Sequence, residues 1–133
     1  MTQTTVVNGG YPPNIKEIKE AFKLDNYNVI YTYGDTIYNP GSYMIDLALM
    51  AHEQTHSIQQ DGKPEKWWKR YLKEKEFRLE QELQAYRVQY RYYCQEVKDR
   101  NQRFRFLSRI AGDLSSEIYG NIISKSEALK LIK

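Results

Sequence analysis

The chain is poor in several things that would steer a reading. It has a single cysteine, Cys94, so no disulfide can form within it. Cys94 sits among Tyr90, Tyr92 and Tyr93 and reads as a small core residue. Nowhere does an apolar run approach the 18 residues that a membrane span requires, and mean hydropathy is -0.77. The opening stretch, Met1 to Asn14, lacks both a charged leader and an apolar segment, so it does not read as a secretory signal. A cytoplasmic protein with no membrane partner is the expectation. Histidine is scarcest of all after cysteine and tryptophan are set aside: there are two.

What is present is a chain of 133 residues with 12 Tyr, 4 Phe and 2 Trp. That is enough for one domain with a real core and argues against disorder away from the ends. The net charge of +3 is unevenly placed. From Lys63 to Arg109 there are 14 basic and 7 acidic residues, and the remainder holds 6 basic and 10 acidic. A basic stretch interleaved with aromatics can face nucleic acid. Here charges of both signs alternate without a compact polybasic run, which favours a solvated helix face.

Both histidines fall in one pentapeptide, His52-Glu53-Gln54-Thr55-His56. On a helix of 3.6 residues per turn, positions i and i+4 share a face. Two imidazoles so placed can hold one zinc ion, and Glu53, beside the first, can serve as general base towards a metal-activated water. Ile45, Leu49, His52 and His56 follow one stripe, so the context reads as helical. Ser42 is the expected N-cap, Ile45 and Leu49 are expected in the core, and Gly62 is the expected stop.

Around this helix the pattern predicts a mostly helical α+β domain. Residues 1–13 read as a loose arm ending in Gly9-Gly10-Tyr11-Pro12-Pro13. Asn14 with Glu17 reads as a capping box, opening a helix to about Leu24 that Asp25-Asn26 closes. Tyr27–Tyr33 and Thr36–Tyr38 flank Gly34-Asp35 and read as an antiparallel β-hairpin. Helices are expected over Glu65–Leu72, Glu76–Lys98 and Arg103–Ala111, the last ending at Gly112. A short turn through Tyr119 and a small terminal helix at Ser126–Leu129 follow. Residues 14–98 thus form the expected core of one domain, with short C-terminal helices over 99–133.

A catalytic zinc takes three protein ligands and leaves a position open. With no third histidine, the third ligand falls to an acid, a tyrosine or the cysteine. Glu76, Glu80 and Glu82 on the long helix are the candidates.

Glu82-Leu83-Gln84-Ala85-Tyr86 resembles the Glu-x-x-Ala-Asp/Asn stretch of the gluzincins, and His52–Gln60 resembles the His-Glu-x-x-His-x-x-Gln-Gln form found in small phage and bacterial metallopeptidase-like domains. The order of elements and the interval of 26 residues from His56 to Glu82 are similar to those of ImmA/IrrE-like members. The likeness covers about Tyr27 to Tyr93. It implies a minimal gluzincin-like fold, Zn²⁺ held by His52, His56 and Glu82, with Glu80 as the alternative to Glu82, and hydrolysis of a protein or peptide substrate with Glu53 as base. Tyr86 departs from the pattern, standing where an acidic residue orients a ligand histidine. Tyr86, Tyr90 and Tyr119 are the candidate donors to a developing oxyanion, and the strand edges Val29–Tyr33 or Thr36–Tyr38 are the candidate peptide-binding edges. The alternative implied by such phage domains is a virion or adaptor protein with a binding role and little turnover.

Overall fold

The computed structural model describes residues 3–24 and 27–133. The expected helix end at Asp25-Asn26, and the first two residues of the expected arm, lie outside them. Among the described residues, six α-helices and a three-stranded mixed sheet make a mostly helical α+β fold. Among the described residues no helix is long and apolar enough to cross a membrane.

The arm is not loose throughout. Thr5–Asn8 forms β1, β-branched in composition, and pairs in parallel with β3 (Thr36–Asn39) in the register Val6 to Ile37. Backbone bonds from Thr5 N to Asp35 O and from Gly9 N to Asn39 O close both ends of the ladder. β2 (Tyr31–Tyr33) pairs antiparallel with β3 across Gly34-Asp35, as the turn residues predict, with Gly34 at φ 63°. The strand order β1-β3-β2 places β3 in the middle. Thr36–Tyr38 therefore offers no free edge, which corrects that expectation.

Helix α1 (Ile15–Ala21) stops short of Leu24. Asn14 stands before it but makes no capping bond, and its side-chain polar atoms are buried without partners. The capping box is thus not formed. Helix α2 (Leu47–Gln60) starts four residues later than expected, capped by Asp46 Oδ1, which accepts from Leu49 N at 2.8 Å. Asn39 is the reason. Its buried amide bonds both the carbonyl and the N–H of Tyr43, fixing the turn through Ser42, which sits at φ 54°. Ser42 in that conformation cannot cap, and Ile45 stays outside the helix. Ile45 and Leu49 are half-buried, while Ala48 takes the core position. The C-terminus follows the prediction, with Asp61 and Gly62 both left-handed.

Helices α3 (Pro64–Lys73), α4 (Lys75–Glu96), α5 (Arg100–Leu114) and α6 (Lys125–Ile132) follow, with a 3₁₀ turn at Glu117–Tyr119. α5 begins at an Asp99 cap and runs through Gly112. Leu114 is fully buried beyond the expected stop, and that burial outweighs the roughly 1 kcal/mol a helical glycine costs. Two apolar clusters result. One joins α4, α5 and α6 through Leu83, Phe106, Ile110, Leu114 and Ile132. The other joins α1, β2 and α3 through Ile18, Phe22, Tyr31, Trp67, Trp68 and Tyr71. The α2–α4 seam runs between them.

Candidate metal centre

Helix periodicity carries His52, Glu53 and His56 inward from α2 and Glu82 inward from α4; all four are 3–5% exposed. The two imidazole Nε2 atoms lie 3.2 Å apart. Glu82 Oε1 is 3.2 Å from each of them, and its Oε2 is 3.2 Å from His56 Nε2. The donor atoms of His52, His56 and Glu82 all fall within 4.8 Å of one another, and this buried group could hold a metal ion. Glu76 and Glu80, the other acids considered on this helix, are exposed and stand outside it.

The charges in the cluster answer one another. Burial pushes the Glu82 carboxyl up, but the facing His56 and His52 outweigh it and hold the group below the usual carboxylate range. Burial likewise pushes His56 down, yet the charge and hydrogen bond of Glu82 win and raise it to about 9. The two opposed shifts favour a proton held between His56 and Glu82 at neutral pH. Glu53 stands apart, with Oε2 3.9 Å from His52 Nε2. Its pKa is raised, chiefly by burial, against the opposing pull of the histidines.

Around these groups lies a shell of partners that the motifs alone do not name. Thr32 Oγ1 donates to Glu53 Oε1 at 2.9 Å. Tyr71 donates its hydroxyl to Glu82 Oε2 at 2.6 Å. His52 Nδ1 meets Gln89 Oε1 at 2.9 Å, and His56 Nδ1 meets Gln59 Oε1 at 2.8 Å. With each Nδ1 so engaged, each Nε2 is left to face the centre. Gln60, the next residue, ties α2 to the hairpin through Gly34 N and Thr32 O. Comparison with family models, with curated proteins and with solved structures finds no match for the chain. The site is thus read from its own geometry.

Among the described residues, two openings reach it. A cleft of about 300 Å³ is walled by Val29, Ile30, His52, Glu53, Tyr86, Gln89 and Tyr119, among others. A narrower cavity of about 60 Å³ meets His56 and Glu82 and is lined by Phe22, Tyr31, Trp67, Trp68 and Tyr71. Ile118 and Tyr119 border both. Of the three candidate tyrosine donors, Tyr86 and Tyr119 line the larger cleft with their hydroxyls 2.7 Å apart. Burial, followed by the charge of Glu82, holds both well above 10, so they remain protonated donors. Tyr90 lines neither opening. On β2, the Thr32 carbonyl accepts from Gln60 Nε2 and Trp68 Nε1. Of the expected edge Val29–Tyr33, only Val29 and Ile30 border the larger cleft.

Proposed function

We propose that this chain is a minimal gluzincin-like zinc peptidase. The observation that carries the reading is the convergence of His52 Nε2, His56 Nε2 and a Glu82 oxygen at mutual distances of 3.2 Å. Donors about 2.0–2.1 Å from a tetrahedral zinc lie about 3.3 Å from one another, so the spacing suits that ion. Two imidazoles and one carboxylate also match the donor set of catalytic zinc peptidase sites. When bound, zinc would acidify a water and polarise a carbonyl.

The chain's own residues supply the remainder. Glu53 accepts a proton at Oε2 while Thr32 holds Oε1, then passes that proton to the leaving amine. The raised pKa of Glu53 suits this two-way traffic. The hydroxyls of Tyr86 and Tyr119 bond each other beside His52 and Glu53 in the larger cleft, which leaves one of their two protons to donate to a developing oxyanion. An extended substrate would lie along Val29 and Ile30.

The test is a Glu53→Gln variant, assayed for metal by mass spectrometry and for cleavage of a peptide library. The expected result is one zinc per chain with cleavage reduced about 10²–10⁴-fold. Undiminished cleavage would remove Glu53 from the role of base.

Exposed apolar side chains favour a second reading, a binding module or virion component on the same fold. Met44 is 94% exposed, Ile58 72% and Leu47 67%, and side chains left in solvent this way are available to contact another protein. This reading predicts a stable assembly in sedimentation and no turnover. A monomer with robust cleavage would dismiss it.

A further inference from the structure

Neither imidazole of the metal centre leans on a carboxylate through its Nδ1. Gln59 and Gln89 stand there instead, both neutral. The orientation of Gln59 is fixed by its other end: Nε2 donates to the carbonyl of Gln81 at 3.0 Å, and a carbonyl only accepts. Its oxygen must then face His56. Gln89 is 5% exposed and follows Glu82 by seven residues, two turns further along the same face of α4. Tyr86, one turn after Glu82, packs its ring on His52 at 4.4 Å between centroids and turns its hydroxyl to Tyr119. It therefore leaves Nδ1 of His52 to Gln89.

We propose that Gln89 is the positioning residue for His52, and that the pair of neutral amides sets how tightly the centre holds its cation. The inference rests on the metal-site part of the reading above. An amide oxygen fixes the tautomer and the plane of an imidazole. A carboxylate in the same place does both and also adds negative charge and raises the basicity of the ligand nitrogen. A centre backed by two amides holds a divalent cation less tightly than one backed by a carboxylate, and exchanges it more readily.

The experiment uses the full chain stripped of metal. Zn²⁺ is titrated against a chromophoric chelator, and Co²⁺ is followed by its visible spectrum, for wild type, Gln89→Glu and Gln89→Leu. Gln89→Leu is expected to weaken binding about 10–100-fold and to change the Co²⁺ bands, because the imidazole loses its orientation. Gln89→Glu, nearly the same shape, is expected to bind tighter than wild type by a similar factor, and it keeps the question open to test if the leucine variant fails to fold. Affinities for Zn²⁺ in the order Glu, Gln, Leu support the inference, and if they come from a protein that cleaves nothing they remove the peptidase reading alone. Equal affinities for wild type and Gln89→Glu would overturn it. A wild type that takes neither cation would overturn both this inference and the metal site.

Discussion

The hydroxyl of Tyr71, on α3, donates to Oε2 of Glu82, on α4, across 2.6 Å. The bond reaches from the aromatic cluster into the metal centre and leaves Glu82 Oε1 between the two histidines. Burial, then the charge of Glu82, holds the Tyr71 hydroxyl well above 10, so it donates throughout the working pH range.

Tyr71→Phe keeps the ring stacked against Trp67 and removes only this donor. A hydrogen bond to a charged group contributes about 1.5–3 kcal/mol, and the carboxylate it leaves is buried. The metal-free variant should lose about 2 kcal/mol in urea unfolding, and zinc affinity should fall about tenfold as Glu82 gains freedom to rotate. Calorimetric titration checks the second figure. An unchanged affinity would mean that the histidines alone orient Glu82.

The part of this centre visible in the chain is the part that obeys local periodicity. His52 and His56 share a helix face by spacing alone, and Glu82 enters through a short motif on the next long helix. The Gly34-Asp35 turn is equally local. The partners are not: Thr32 lies 21 residues from Glu53, and Gln89 lies 37 from His52. Their roles follow from how α2, α4 and β2 pack. One signal was available, since Gln89 stands two turns after Glu82 and so shares its face. β1 was illegible for a similar reason. Its pairing with β3 is parallel, so no turn announces it, and its side chains are all exposed, so no alternation marks it. The false start of α2 at Ser42 reflects Asn39, whose buried amide fixes the turn ahead of the helix.

His56, raised to about 9 by Glu82 against the opposing effect of burial, would make the binding of a metal a proton exchange. At pH 7.5 a cation entering the site would expel the proton those shifts favour. Titrations in buffers of differing ionisation enthalpy should report about one proton released per zinc at pH 7.5, falling towards none above pH 10. The same shift sets the stability of the metal-free protein. Its folded pKa lies above the unfolded value of 6.5, so the stabilisation is full below about pH 6.5 and is lost as pH rises through 9. Metal-free melting temperature should therefore fall across that window, and saturating zinc should flatten the fall.

Arg78 is the tie that holds the 3₁₀ turn to the helices. It is 4% exposed, donates to the carbonyls of Tyr71 at 2.6 Å and Tyr119 at 2.9 Å, and lies over the Phe22 ring. Arg78→Ala leaves these carbonyls without their donor and should cost about 3–4 kcal/mol, a large share of the stability of a small domain. Gly120 adjoins it. At φ 88°, a Cβ there would approach Arg78 Nη2 to 3.2 Å, so Gly120→Ala should cost about 1–2 kcal/mol. Urea midpoints check both, and a change under 1 kcal/mol for Arg78→Ala would show that water replaces the guanidinium.

On the peptidase reading, Thr32 separates the holding of metal from the use of it. Its hydroxyl is the side-chain donor to Glu53 Oε1, and β2 keeps it in place through the Gln60 and Trp68 bonds to its carbonyl. Thr32→Val preserves shape and strand propensity and removes that donor. None of the three metal-centre residues touches the lost hydroxyl, so zinc content should be unchanged. Glu53, already raised chiefly by burial, loses a bond that lowers its pKa and must rise further. A base works only when deprotonated. On the peptidase reading, the acid limb of the pH–rate profile should then move to higher pH, and turnover at pH 6 should fall about tenfold with KM little changed. An unshifted limb would mean that the group titrating in turnover is not Glu53.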